Sequence, residues 1–83
     1  MEQIARTPKQ LGDAVRRQRR KLGVNQSRLG EQTGLRQATV SAVEGGAPGT
    51  QLGTLCDILA ALDLELVIRP RTKAEPAEIE DIF

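Results

Sequence analysis

Residues 25–44, NQSRLGEQTGLRQATVSAVE, constrain the fold more than any other part of the chain. Two short stretches of apolar residues at helical spacing flank Gly34, which suits a left-handed turn. Leu29 and Gly30 mark the inner face of the first stretch; Val40 and Val43 mark that of the second. Leu35 falls where a side chain would plug the corner between them. Two helices of this length joined by a Gly-containing turn form a helix-turn-helix layout.

The rest of the chain predicts the helices that such a pair packs against. Thr7-Pro8 reads as an N-cap followed by Pro at the first helical position, where its missing N–H costs nothing. Helix one is expected over residues 8–22, with Leu11, Ala14, Val15 and Leu22 on one face, Gln18 interrupting the stripe and Gly23 past the end. Asn25 caps helix two, residues 26–33. Gly30 costs about 0.8–1 kcal/mol against Ala in a helix, which close helix–helix approach would explain. Helix three is expected over residues 37–44. The run Gly45-Gly46-Ala47-Pro48-Gly49 breaks the pattern. Thr50 is the expected cap of helix four, residues 51–62, buried through Leu52, Leu55, Cys56, Ile58, Leu59 and Leu62.

Residues 64–69, LELVIR, change character. Leu64, Leu66, Val67 and Ile68 favour a strand, and Arg69-Pro70 ends it. An isolated strand leaves its own backbone groups unpaired, and the chain offers no second candidate strand. Pairing with the same strand of a second copy solves this; the alternative is an extended segment packed on the helices. The fold class expected is therefore an all-α helix-turn-helix domain of four to five helices, followed by one C-terminal strand that pairs across a homodimer. The domain plan is a flexible arm (1–6), the helical domain (7–63), the dimerisation strand (64–70) and a disordered acidic tail (71–83).

With 83 residues, the chain makes one domain with a thin core. One Phe and no Tyr or Trp leave the packing to aliphatic side chains. The single cysteine, Cys56, has no internal disulfide partner and reads as an inert core thiol in a reducing cytoplasm. The absence of His, together with one Cys, argues against a metal site and against acid–base or nucleophilic catalysis. No enzyme activity and no cofactor are expected. No apolar run approaches membrane length, so no membrane partner is expected.

The formal net charge of +1 conceals an asymmetry. From Lys9 to Arg36 there are eight basic residues against Asp13 and Glu31, while Glu75 to Asp81 holds four acids and no base. A basic module with an acidic tail points to a nucleic-acid partner. At the start of helix three, Arg36, Gln37, Ala38 and Thr39, with Ser41 and Ala42 one turn on, are the candidate base readers. Gln can pair with adenine, Arg with guanine, and a small methyl-bearing side chain can meet a thymine methyl. Asn25 and Gln26 sit where free helix N–H groups attract a phosphate, and Gln26 reads as free to reach it. Arg16, Arg17, Arg20, Lys21 and Arg28 add backbone attraction. Arg19 is open to two readings, a structural ion pair or a DNA contact.

Taken together, Arg19…Gly23-Val24-Asn25-Gln26…Leu29-Gly30…Thr33-Gly34-Leu35…Gln37-Ala38-Thr39-Val40-Ser41…Glu44 resembles the lambda-repressor-like (Xre-type) helix-turn-helix family. The resemblance covers roughly residues 11–62. It implies that Arg19 and Glu44 form a salt bridge between helices one and three, that Asn25 and Gln26 contact phosphate, and that Gln37 reads a base. Gly30 stands where that family more often has Ala, and Gln18 where it has an apolar residue. The run Arg36-Gln37-Ala38-Thr39-Val40-Ser41, the single strand and a charged tail with a terminal aromatic are similar to the antitoxins of HipA/HipB-type toxin–antitoxin modules. This narrower resemblance implies a cytoplasmic bacterial repressor, nucleoid-associated, that binds palindromic operator DNA as a homodimer. It also implies a HipA-like serine/threonine kinase toxin as partner, docked by Ile79, Ile82 and Phe83 in the tail. A stand-alone Xre-type regulator, or an interaction protein that neutralises an enzyme without reading DNA, are the alternatives.

Overall fold

A computed structural model describes residues 2–71. They hold four helices: α1 (Pro8–Lys21), α2 (Gln26–Thr33), α3 (Gln37–Glu44) and α4 (Leu52–Ala61). α3 packs against both α1 and α2, and α2 also packs on α4. Of the four to five helices expected, the described residues hold four, with α1 and α4 slightly shorter than read from sequence.

Local chemistry sets the boundaries. Thr7 caps α1, its Oγ1 accepting from the Gln10 N–H at 3.0 Å, and Pro8 follows at the first turn. Asn25 caps α2 by accepting from the Arg28 N–H at 2.8 Å. α1, α2 and α4 end alike. In each, the residue after a left-handed position donates back five residues: Val24 to Arg19 O at 3.1 Å, Leu35 to Gly30 O at 2.8 Å and Leu64 to Leu59 O at 2.8 Å. Gly34 fills the left-handed position in the turn between α2 and α3, with φ 72°. After α4 the position belongs to Asp63, with φ 59°, a residue that tolerates this region better than most.

The core is aliphatic: Val15, Leu29, Val40, Val43, Leu55, Ile58, Leu59 and Leu62 are buried. Leu11, Val24, Leu35 and Leu64 pack against its edge. Full burial of a Leu or Ile side chain contributes about 1.5–3 kcal/mol. Gly12 lets α1 and α3 approach closely: a Cβ there would stand 2.6 Å from Glu44 O. Gly30 answers to the same constraint, because a Cβ would stand 2.6 Å from Leu35 O in the turn. Its helix-propensity cost is thus tied to a backbone contact that an alanine would disturb.

Several expected details differ. Leu22 is 48% exposed, because it lies at the C-cap of α1, beyond the buried stripe. In α4, burial follows Leu55, Ile58, Leu59 and Leu62; Leu52 in the first turn is 68% exposed. Cys56 is exposed rather than in the core, since it sits one residue off that stripe, about 100° around the helix. Thr50 is not the cap of α4. Gln51 holds that position without a side-chain bond, and Thr50 Oγ1 donates to Ala47 O at 2.9 Å. Gln18 does not merely interrupt a stripe: its Nε2 donates to Leu62 O at 3.0 Å, satisfying a carbonyl at the end of α4.

Among the described residues no strand forms. Residues 64–71 leave α4 without regular structure. Leu64 is partly buried, but Leu66, Val67 and Ile68 are 50%, 67% and 99% exposed. The strand expected over 64–70 is therefore not formed within the single chain. The tail residues Ile79, Ile82 and Phe83 lie outside the described residues.

Candidate nucleic-acid interface

α3 has two chemically distinct faces. Val40, Val43 and Glu44 are buried, whereas Gln37, Ala38, Ser41 and Ala42 are exposed. Arg36, at the N-cap, is exposed and makes no side-chain cap bond. Thr39 is partly buried, so it belongs less fully to this set than sequence suggested. The structure thus gathers five of the six expected base readers on an open surface. An eight-residue helix is about 12 Å long, and the major groove is about 12 Å wide.

The only acid of α3 is withdrawn from that surface. Glu44 is fully buried, and its carboxylate is the acceptor at the centre of a polar cluster. Arg19 Nε donates to Glu44 Oε2 at 2.6 Å and Arg19 Nη2 to Oε1 at 3.0 Å, a bidentate pair. Gln26 Nε2 and Arg16 Nε donate to Oε1 at 3.2 and 3.4 Å. Arg19 Nη1 donates to Val24 O at 2.9 Å, which ties the cluster to the turn before α2. Among the described residues, no buried side-chain nitrogen or oxygen lacks a partner. A buried carboxylate is tolerable only when satisfied in this way.

Burial alone would push the Glu44 pKa up. The hydrogen bonds from Arg19, Gln26 and Arg16, with the Arg19 charge, overcome it and hold the carboxyl below its ordinary value. The same bond to Glu44 raises the Arg19 pKa. Of the two readings of Arg19, the buried brace between α1 and α3 is the one present.

The expected phosphate contacts divide. Asn25 is exposed, but its side chain is engaged as the cap of α2. Gln26 is not free, because its amide is committed to Glu44. Arg16 reaches the same carboxylate through Nε and remains partly exposed. Arg28 pairs with Glu31 at 3.2 Å on an open surface, a contact of little energy. Arg17, Arg20 and Lys21 are exposed. Sequence reasoning missed one residue here, Ser27, whose hydroxyl donates to Gln37 Oε1 at 3.2 Å and joins the starts of α2 and α3. Its signal was its place in the first turn of α2, beside two residues already singled out.

Among the described residues, no group of His, Cys, Asp and Glu could hold a metal ion, and no helix is long and apolar enough to cross a membrane.

A short polar helix, braced from behind and set across a glycine turn from its partner, defines a helix-turn-helix protein. Known proteins narrow this class. No family model matches the chain. The curated Antitoxin HipB of Escherichia coli O6:H1 is 35% identical over 78 residues, spanning 92% of this chain and 83% of that protein. A solved HipB-O4 20mer complex superposes with a TM-score of 0.80 at 32% identity, over 86% of this chain and 100% of that one. A HipA-HipB-O2-O3 complex does so with a TM-score of 0.79 at 32% identity, with the same coverage. The chain belongs to the HipB antitoxin family.

Proposed function

We propose that the chain is a sequence-specific DNA-binding repressor and the antitoxin of a HipA/HipB-like toxin–antitoxin module. The observation that carries this reading is the open, acid-free face of α3, held by the buried Glu44 brace, on a chain of the HipB family. In this mechanism α3 enters the major groove. Gln37 pairs with adenine, Arg36 reads guanine or holds a phosphate, and Ala38, Thr39, Ser41 and Ala42 shape the contact. The helix start at Asn25 and Gln26 offers backbone N–H groups to a phosphate, and Glu44 fixes the Gln26 side chain so that this end stays in place. Arg16, Arg20, Lys21 and Arg28 attract the DNA backbone without reading sequence.

The functional unit is a homodimer. The segment LELVIR leaves the apolar side chains of Leu66, Val67 and Ile68 in water, and a second copy pairing along it covers them together with Leu64. A groove of ≈ 660 Å³, lined by Ile4, Leu11, Val15, Leu59, Leu64 and Val67 among others, lies beside the segment and offers apolar surface to the partner. The two α3 helices then meet successive major grooves about 34 Å apart on a palindromic operator. Residues 1–6 act as an arm, and residues 71–83 carry Ile79, Ile82 and Phe83 to a HipA-like serine/threonine kinase. The similarity to a HipA-HipB complex supports that partner; the place proposed for the pair is the bacterial cytoplasm.

The test is a mobility-shift titration on the DNA upstream of the native gene, with co-purification of the neighbouring gene product. Retarded DNA and a co-purified kinase-like protein are expected. Binding that persists unchanged in the Arg36→Ala, Gln37→Ala double variant would remove α3 as the reading surface.

A further inference from the structure

Charge is divided along the chain. Residues 1–71 hold eleven Lys and Arg against seven Asp and Glu, and residues 72–83 hold one against four. The positive excess has a definite place on the surface. Arg17, Arg20 and Lys21 are exposed at the end of α1. Spaced three and four residues apart, they are close neighbours of like sign. The helix end carries about half a negative charge, which offsets only a small part of three cations. Among the described residues, none of the three forms an ion pair. The acids of residues 72–83 start close by. Arg71, the last described residue, lines the groove bordered on the α1 side by Leu11, Ala14, Val15 and Gln18. Arg17 follows Ala14 by three residues, and Lys21 follows Gln18 by three. α1 is about 21 Å long, and the twelve residues from 72 to 83 span at most about 40 Å. Glu75, Glu78, Glu80 and Asp81 are therefore within reach of all three cations.

We propose that Glu75, Glu78, Glu80 and Asp81 dock on Arg17, Arg20 and Lys21 of the same chain and compete there with the DNA backbone. The inference rests on the reading of this basic face as a DNA-backbone surface. Guanidinium and ammonium groups make charge-assisted hydrogen bonds to carboxylates as they do to phosphates. Tethering gives the acids an effective concentration on the order of millimolar. Each contact is weak, as exposed ion pairs are, so the segment lowers affinity for a duplex without abolishing it. It thus holds down loose binding to any sequence, and a duplex that also engages α3 still displaces it.

The test compares wild type with a neutralised-tail variant, Glu75→Gln, Glu78→Gln, Glu80→Gln and Asp81→Asn, each with and without Arg17→Gln, Arg20→Gln and Lys21→Gln. Affinity for a random-sequence duplex is titrated at low and moderate salt, and amide and guanidinium NMR spectra of the DNA-free proteins are recorded. Neutralising the tail is expected to tighten duplex binding roughly fivefold at low salt, with the gain shrinking as salt rises. The signals of Arg17, Arg20 and Lys21 should shift, while those of Asp57 and Ala60 on α4 stay in place. With the three α1 cations replaced, the same tail change should bring no gain. Equal affinities, or α1 signals that do not shift, overturn the proposal and leave the DNA reading intact. A gain that persists without the α1 cations also overturns it, because the acids then act by long-range repulsion of DNA. If neither wild type nor the neutralised-tail variant binds a duplex at low salt, the DNA reading fails and the competition falls with it. A last sample separates the chains: isotope-labelled neutralised-tail protein is mixed with excess unlabelled wild type and left to exchange subunits. Its α1 signals should stay where they are; a return to the wild-type positions would assign the acids to a second copy and overturn docking within one chain.

Discussion

The two faces of α3 use polar chemistry in opposite ways. On the inner face Glu44 is fully buried, and every hydrogen bond it accepts is supplied by Arg19, Gln26 and Arg16. On the outer face Gln37 and Ser41 stand in solvent, with Gln37 held only by one exposed bond from Ser27. A satisfied buried charge fixes where a helix sits, because removing one partner leaves the other uncompensated. An exposed amide costs little when removed from the free protein, and it has value only against a ligand. Eight residues therefore carry a structural anchor and the proposed reading surface on one short helix, and the two should respond to mutation independently.

The largest effect is expected at the anchor. Glu44→Ala should lower folding stability by about 3–5 kcal/mol, measured by denaturant unfolding; a loss below about 1 kcal/mol would break the distinction between the faces. The same anchor gives a pH dependence. The folded Glu44 pKa lies below its ordinary 4.5, so its contribution is fully present above that value and is lost as pH falls through the folded pKa. Asp13, lowered by its bond from Lys9, acts in the same direction. The Glu44 share is therefore isolated as the stability difference between wild type and Glu44→Gln, which should shrink on acidification. A difference that stays constant or grows would contradict the ion-pair account.

Next in size is the segment proposed to pair two copies. Ile68→Ala should weaken self-association by about 2 kcal/mol per subunit in sedimentation equilibrium, with helical circular dichroism preserved. Gln37→Ala should leave melting unchanged and cost about 1–3 kcal/mol of base discrimination. Smallest is Arg20→Ala, expected to weaken binding to all duplexes alike and to reduce the salt slope by roughly one unit. A sequence-dependent loss there would move Arg20 from backbone attraction to base reading.

The helices were legible because their signals are local. Thr7-Pro8 and Asn25 cap where they should, and Gly34 turns where it should. The inner stripe of α3 followed from the spacing of Val40 and Val43. The Arg19–Glu44 brace was not readable from charge alone, since Arg19 sits in a run of similar cations; it came from the family resemblance. Gln26, Gln18 and Ser27 were misjudged or missed for a common reason. Each bonds a group on another element, and such long-range polar pairing leaves no periodic trace in sequence. Cys56 and Leu52 show the converse error, where apolar character suggested burial in a helix whose buried stripe is narrower than its apolar content. Leu66, Val67 and Ile68 are exposed, and among the described residues no strand forms there, so the strand expected from their β-favouring character is not seen.

The most direct measurement is a selection from a randomised duplex library, run in parallel with wild type and the Arg36→Ala, Gln37→Ala double variant, with melting curves of both. Wild type should recover two inverted half-sites with centres about 34 Å apart. The double variant should melt at the same temperature and recover no shared sequence. Recovery of the same half-sites with the same affinity by both proteins would contradict the claim that the outer face of α3 reads DNA.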